Sequence, residues 1–178
     1  MKLTDAVNLL DKFSRKKIYL FSKHDLGVMF SEGGDTLAST IKRLLKEKFL
    51  FKVANGLYAS KAALNSEGKL LYRIAAYLRP GDINYLSNES VLSNLSIISQ
   101  QMFDRITVMT TGRSGVFKTP FGTVEFTHTK RNPIEILNAT SKPPDMPIRM
   151  ANKHVALRDL KRIGRNLNMV DMEEYNEA

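Results

Sequence analysis

The sequence predicts an α+β protein in two parts, a basic helix-rich first half and a nearly neutral second half that carries strands. Three observations lead there. Charge is the first: of a formal +9 over 178 residues, residues 1–80 hold fifteen Lys/Arg against seven Asp/Glu, a net +8, while residues 81–178 hold twelve against eleven, a net +1. The second is a succession of three helical periodicities and a hairpin signal within the first 60 residues. The third is a group of β-branched runs after residue 105. Arg79-Pro80-Gly81-Asp82 breaks the chain where the charge changes, so the expected domains are 1–80 and 81–178.

In the first half, Leu3, Ala6, Val7, Leu10 and Phe13 recur at helical spacing, with Thr4 or Asp5 placed to cap. Ile18-Tyr19-Leu20-Phe21 is a short apolar run that suits a small strand or a packed connector. Ser22 and Asp25 have capping-box spacing and open a helix to about Phe30, which Gly33-Gly34 ends. A third helix is expected from Asp35 or Thr36 to about Lys48. Its apolar face is Leu37, Ile41, Leu44 and Leu45, and its polar face is Thr36, Ser39, Lys42, Arg43 and Lys46. Asn55-Gly56, between Phe49–Val53 and Leu57–Ala59, is the sequence signature of a tight hairpin. Helix, helix, glycine turn, helix, hairpin is the order of a winged helix-turn-helix. A fourth helix is expected over Glu67–Leu78.

In the second half, Ser87-Asn88-Glu89-Ser90 is placed to cap a short helix. Residues 106–111, 116–119 and 123–127 read as strands of an antiparallel sheet, with Gly112-Arg113-Ser114-Gly115 as a turn. Residues 138–149, with Pro143, Pro144 and Pro147, read as an irregular crossing. Asn152 caps a last helix, with Val155, Ala156, Leu160 and Ile163 inward and Gly164 as its stop. The second domain is therefore expected to be a small mixed α/β domain.

Chemistry points to binding rather than catalysis. A helix fits the major groove of duplex DNA, where Arg43 can form a two-pronged contact to guanine. Lys42 and Lys46 suit phosphate or guanine, and Thr36 and Ser39 lie near the helix's positive end. Lys52, Asn55 and Lys61 would contact the DNA backbone or minor groove from the wing. The competing interpretation is a merely solvated cationic face. Arg113, Lys118, Lys161, Arg162 and Arg165 are second-half cations able to meet a protein partner or DNA.

The absence of cysteine removes disulfide and thiolate chemistry. His24, His128 and His154 lack a partner at metal-ligand spacing. Glu125 and His128, an odd number apart, would face opposite sides of a strand. Thr110–Gly115 is followed by a strand-like run, not the helix that a phosphate loop needs. The chain is thus expected not to be an enzyme, with no catalytic residue, metal or cofactor. No apolar run reaches membrane-span length, and the first residues lack a secretory layout, so the expectation is a cytoplasmic protein.

The chain resembles the antitoxin of AbiE-type abortive-infection toxin–antitoxin systems, the AbiEi family. The resemblance is carried by Gly56-Leu57-Tyr58, Tyr85-Leu86-Ser87, Ser90-Val91-Leu92, Ile106-Thr107-Val108 with Thr110-Thr111-Gly112-Arg113, Phe126-Thr127-His128 and Ala156-Leu157-Arg158-Asp159. It departs at Ser93-Asn94-Leu95, where relatives often have an aromatic–His pair. The resemblance implies a repressor of its own operon that binds operator DNA through the first domain. It further implies an antitoxin second domain that neutralises a nucleotidyltransferase-like toxin. The alternative is a winged-helix transcription factor with a ligand-sensing second domain and no toxin partner.

Overall fold

The computed structural model describes residues 1–66, 68–99 and 104–177. It is a mixed α+β structure that divides into two compact units, Met1–Leu70 with Thr119–Phe121, and Leu71–Lys118 with Gly122–Ala178. The first unit runs α1 (Leu3–Ser14), β1 (Leu20–Ser22), α2 (Lys23–Phe30), α3 (Gly34–Lys46), β2 (Leu50–Ala54), β3 (Leu57–Ser60) and a 3₁₀ turn (Lys61–Asn65). The strands form an antiparallel sheet in the order β1-β3-β2, so the run around Leu20 is a strand. Ala6, Leu10, Phe21, Leu26, Phe30, Leu37, Ile41, Leu44 and Leu50 pack into one core.

Local chemistry explains the boundaries. The expected capping box at α2 forms: Ser22 Oγ accepts from Asp25 N at 3.0 Å, and Ser22 N donates to the Asp25 carboxylate at 2.7 Å. At α1 the expected cap does not form; Lys2 occupies the N-cap position and supplies no side-chain bond. The α2–α3 turn uses two left-handed residues, Ser31 (φ 52°) and Gly34 (φ 52°), and glycine makes the second of them free of steric cost. Asn55-Gly56 makes the hairpin, with Gly56 at φ 72°.

The second unit contains α4 (Leu70–Leu78), β4 (Asn84–Leu86), α5 (Asn88–Asn94), β5 (Arg105–Thr110), β6 (Gly115–Thr119), β7 (Gly122–His128), α6 (Pro133–Ala139), β8 (Thr140–Ser141), β9 (Arg149–Ala151), α7 (Lys153–Ile163) and α8 (Met172–Glu177). Glu67, the expected start of α4, lies outside the described residues. The sheet runs β6-β7-β5-β4-β9-β8, and it is mixed rather than antiparallel. β7 pairs with β5 in parallel because the chain reverses into β6 and reverses again before inserting β7 beside β5. β4 and β9 are also parallel. Residues 142–148, with Pro143, Pro144 and Pro147, are irregular as expected, and short strands β8 and β9 flank them. Asn132 accepts hydrogen bonds from Ile134 N and Glu135 N and starts α6 with Pro133 in its first turn.

The domain break also differs from the expectation at Pro80. Asn84 Nδ2 donates to Arg79 O (2.8 Å) and Asp82 O (3.2 Å), and the Arg79 guanidinium lies over Phe117 and Phe126 at 5.0 and 5.2 Å. Arg79-Pro80-Gly81-Asp82 is therefore a braced turn inside the second unit.

A buried carboxylate organises this unit. Asp159 is fully buried on α7 and accepts from Tyr85 Oη (3.0 Å) and Ser87 Oγ (2.7 Å), while Arg131 Nη1 pairs with it at 2.9 Å. Ser87 thus spends its hydroxyl on Asp159 and does not cap α5. Burial, then the Asp159 charge, pushes the Tyr85 hydroxyl up to about 12, so it stays a donor. No described helix is long and apolar enough to cross a membrane.

Candidate nucleic-acid interface

The orientation of α3 follows from its own pattern. Leu37, Ile41 and Leu44, spaced by four and three residues, are buried, with Thr40 between them. Leu45, expected inward, is only half-buried at the margin. The remaining arc exposes Thr36, Ser39, Lys42, Arg43 and Lys46 together. Arg43 Nη2 donates to Met1 O at 2.8 Å and Thr40 Oγ1 at 3.2 Å, so its guanidinium is held by Met1 and by its own helix. Lys42 and Lys46 have no ion-pair or hydrogen-bond partner among the described residues.

Lys52 is exposed on β2 opposite Tyr58, and Asn55 is exposed at the hairpin turn. Between Lys52 and Ala54 the pairing slips by one residue, leaving Val53 in the core and Lys52 outside. Lys23 N donates to Gly56 O at 2.8 Å and ties the turn to the start of α2. Lys61 is exposed, but it borders a depression of about 270 Å³ with Val7, Leu10 and Asp11 of α1. No α3 residue lines that depression.

The second-unit cations separate into two groups. Arg113, Lys118, Lys161 and Arg162 are exposed. Arg165 is not a free cation: its Nε donates to Glu89 at 2.7 Å and its Nη1 to Glu125, which Arg105 Nη1 also meets at 2.7 Å. Hydrogen bonding to Glu89 is the main reason that the Arg165 guanidinium is held above its ordinary range. Glu125 is buried among these ion pairs and His128 is exposed at the end of β7. His128 Nδ1 meets Gly112 O at 2.7 Å, and Ser114 Oγ accepts from His128 N, so the Gly112–Gly115 loop is braced and runs into β6. Among the described residues, no three His, Cys, Asp or Glu side chains are grouped to hold a metal ion.

Sequence reasoning missed the two carboxylate hubs, although one was visible. Asp159 occupies the apolar stripe of α7 with Val155, Ala156 and Leu160, and an acid at that spacing must find buried partners. Glu89 offered no comparable sign, because its partners come from residues 165 and 166.

No family model matches the chain, and no curated protein matches it. Among solved structures it is similar to the crystal structure of the RV2827C protein from Mycobacterium tuberculosis, with a TM-score of 0.57 at 15% identity. The match covers 84% of this chain and 57% of that one, so this chain spans a little over half of its length. At that identity the likeness concerns the fold.

The Glu89 hub gives a pH prediction. Burial pushes this carboxyl up, but hydrogen bonds from Arg165, from its own backbone and from Asn166 outweigh that and leave it below the usual carboxylate range. A depressed folded value contributes stability above the unfolded value, about 4.3, and loses it as pH falls through the folded one. Glu89→Gln should cost about 1–3 kcal/mol at neutral pH. From about pH 5 to about pH 3, its melting temperature should fall less steeply than that of the unaltered protein. Equal acid slopes would contradict the assignment.

Proposed function

We propose that the first unit is a winged helix-turn-helix that binds duplex DNA, and that the protein is a repressor acting as the antitoxin of a toxin–antitoxin pair. The DNA reading rests on one observation: α3 turns Thr36, Ser39, Lys42, Arg43 and Lys46 outward together while its apolar side is buried. Residues 1–70 hold thirteen Lys/Arg against seven Asp/Glu, and this net +6 supplies the long-range attraction to a polyanion. In this reading α3 enters the major groove and Lys52 and Asn55 follow the adjoining backbone. Arg43 exchanges its bond to Met1 O for a base edge, a small loss at an exposed position.

The antitoxin reading rests on the AbiEi resemblance. Several residues carrying it are buried and hydrogen-bonded: Tyr85 and Ser87 on Asp159, Thr107 on Ser90 and Ser87 O, and Thr110 on Asn84. They make up the frame of the second unit, and that unit would carry neutralisation of a nucleotidyltransferase-like toxin. Of the second-half cations named from the sequence, Arg113, Lys118, Lys161 and Arg162 remain exposed for such a partner.

Binding of the intact protein to duplex DNA should weaken steeply with salt, since each phosphate contact releases counterions. On a duplex selected for tight binding, Arg43→Ala should cost about 1–3 kcal/mol of discrimination against random DNA. Absence of DNA binding, or a flat salt response, would reject the reading. An equal loss on both DNAs would make Arg43 a phosphate contact.

The two roles should separate. With Lys42, Arg43 and Lys46 all changed to Ala, the protein should lose operator repression yet still restore growth against a co-expressed toxin when supplied from an unrelated promoter. Loss of rescue by a folded, abundant triple variant would contradict the division.

A further inference from the structure

The second unit holds a cleft of about 380 Å³ whose charge is unbalanced. Arg79, Lys142 and Arg149 line it, against one carboxylate, Asp82. None of the three cations has an acidic partner among the described residues. Arg149 is held rigidly: Nε donates to Thr140 Oγ1 at 2.7 Å, and Nη2 donates to Thr140 O and Leu137 O at 2.7 and 3.0 Å. That leaves both N–H groups of Nη1 to be satisfied from outside. Arg79 is braced by Phe117, Phe126 and the carbonyl oxygens of Leu78 and Arg113, and its Nε is buried without a hydrogen-bond partner. Lys142 follows Ser141, which pairs with Met150, so Lys142 stands beside Arg149 at the end of the β8–β9 ladder.

Asp82 offsets only one of these three charges and leaves the cleft positive. Its carboxylate lies against Gly112, where any Cβ would come within 2.1 Å of Oδ2, and it is approached by Thr111 Oγ1 at 3.4 Å. The remaining walls include Pro80, Ile83, Leu137, Pro147 and Ile148, all able to hold an apolar body. Leu137, otherwise an exposed large apolar side chain at 45% accessibility, has a place in that wall.

We propose that this cleft binds a small phosphomonoester, with the phosphate on Lys142 and Arg149, the charge of Arg79 in the same lining, and an apolar or planar body against Pro147 and Ile148. Three cations against one carboxylate leave +2, which matches the charge of about −1.5 to −2 of a phosphomonoester better than that of a monocarboxylate. The cleft volume lies within the usual range for small-molecule sites. The site is independent of DNA binding by the first unit.

The test titrates the full chain with adenosine monophosphate, adenosine and inorganic phosphate, following the methyl resonances of Leu137 and Ile148. Adenosine monophosphate should bind at one site and shift both methyls, adenosine should not bind, and inorganic phosphate should bind more weakly than the nucleotide. Lys142→Ala, at an exposed position, should weaken nucleotide binding about ten-fold and Lys142→Arg should restore it. Lys16→Ala, an exposed first-unit cation, should change nothing. Unshifted methyls, adenosine binding as tightly as its monophosphate, inorganic phosphate binding as tightly as the nucleotide, or an unaffected Lys142→Ala would each overturn the proposal.

Discussion

Leu37, Ile41 and Leu44 can be buried only if the opposite arc of α3 is exposed, and this constraint governs the first unit. Burying such a side chain is worth about 1.5–3 kcal/mol, whereas a helix-surface ion pair is worth about 0.5 kcal/mol at most. The packing term therefore fixes the rotation of α3. Lys42, Arg43 and Lys46 face outward as a consequence, and turning the helix by one residue would bury a cation without a partner. The capped start of α2, the left-handed residues at Ser31 and Gly34, and the Asn55-Gly56 hairpin place the neighbouring elements around that rotation. The outcome is a cationic helix face exposed to solvent.

The second unit follows a different logic, because its specificity comes from buried polar groups. An ionised Asp159 with no exposure would cost several kcal/mol if left alone. Arg131, Tyr85 and Ser87 offset that cost and draw α7, β4 and the segment after β7 to one point. Glu89 and Glu125, joined through Arg165, do the same for α5, β7 and the segment after α7. Apolar packing tolerates alternative registers, but a carboxylate with three fixed donors does not. These hubs also sort the cations: Arg165 is consumed in the frame, whereas Lys161 and Arg162 stay in solvent.

Much of the first unit was legible in the sequence because its signals are local. The Ser22–Asp25 box, the α3 stripe, Asn55-Gly56 and the exposed candidates on α3 depend on residues within one element. Asn152 and Gly164 bounded α7 for the same reason. What escaped was non-local. The parallel β5–β7 pairing depends on which strand inserts where, and strand direction leaves no mark on β-branched patterning. β4, β8 and β9 are only two or three residues long, too short to show a period. Arg79-Pro80-Gly81-Asp82 has the composition of a linker, and only the bonds from Asn84 and the stacking on Phe117 and Phe126 make it a turn within a unit. Arg165 read as a surface cation because its acidic partners lie 76 and 40 residues away.

In the proposed mode of binding, the outward face of α3 contacts duplex DNA. Chemical-shift mapping of the full chain with a short duplex at low salt tests it most directly. Perturbations should concentrate at Thr36, Ser39, Lys42, Arg43 and Lys46, with Lys52 and Asn55 at the edge of the footprint. Perturbations centred on Lys161 and Arg162, with α3 unchanged, would contradict it.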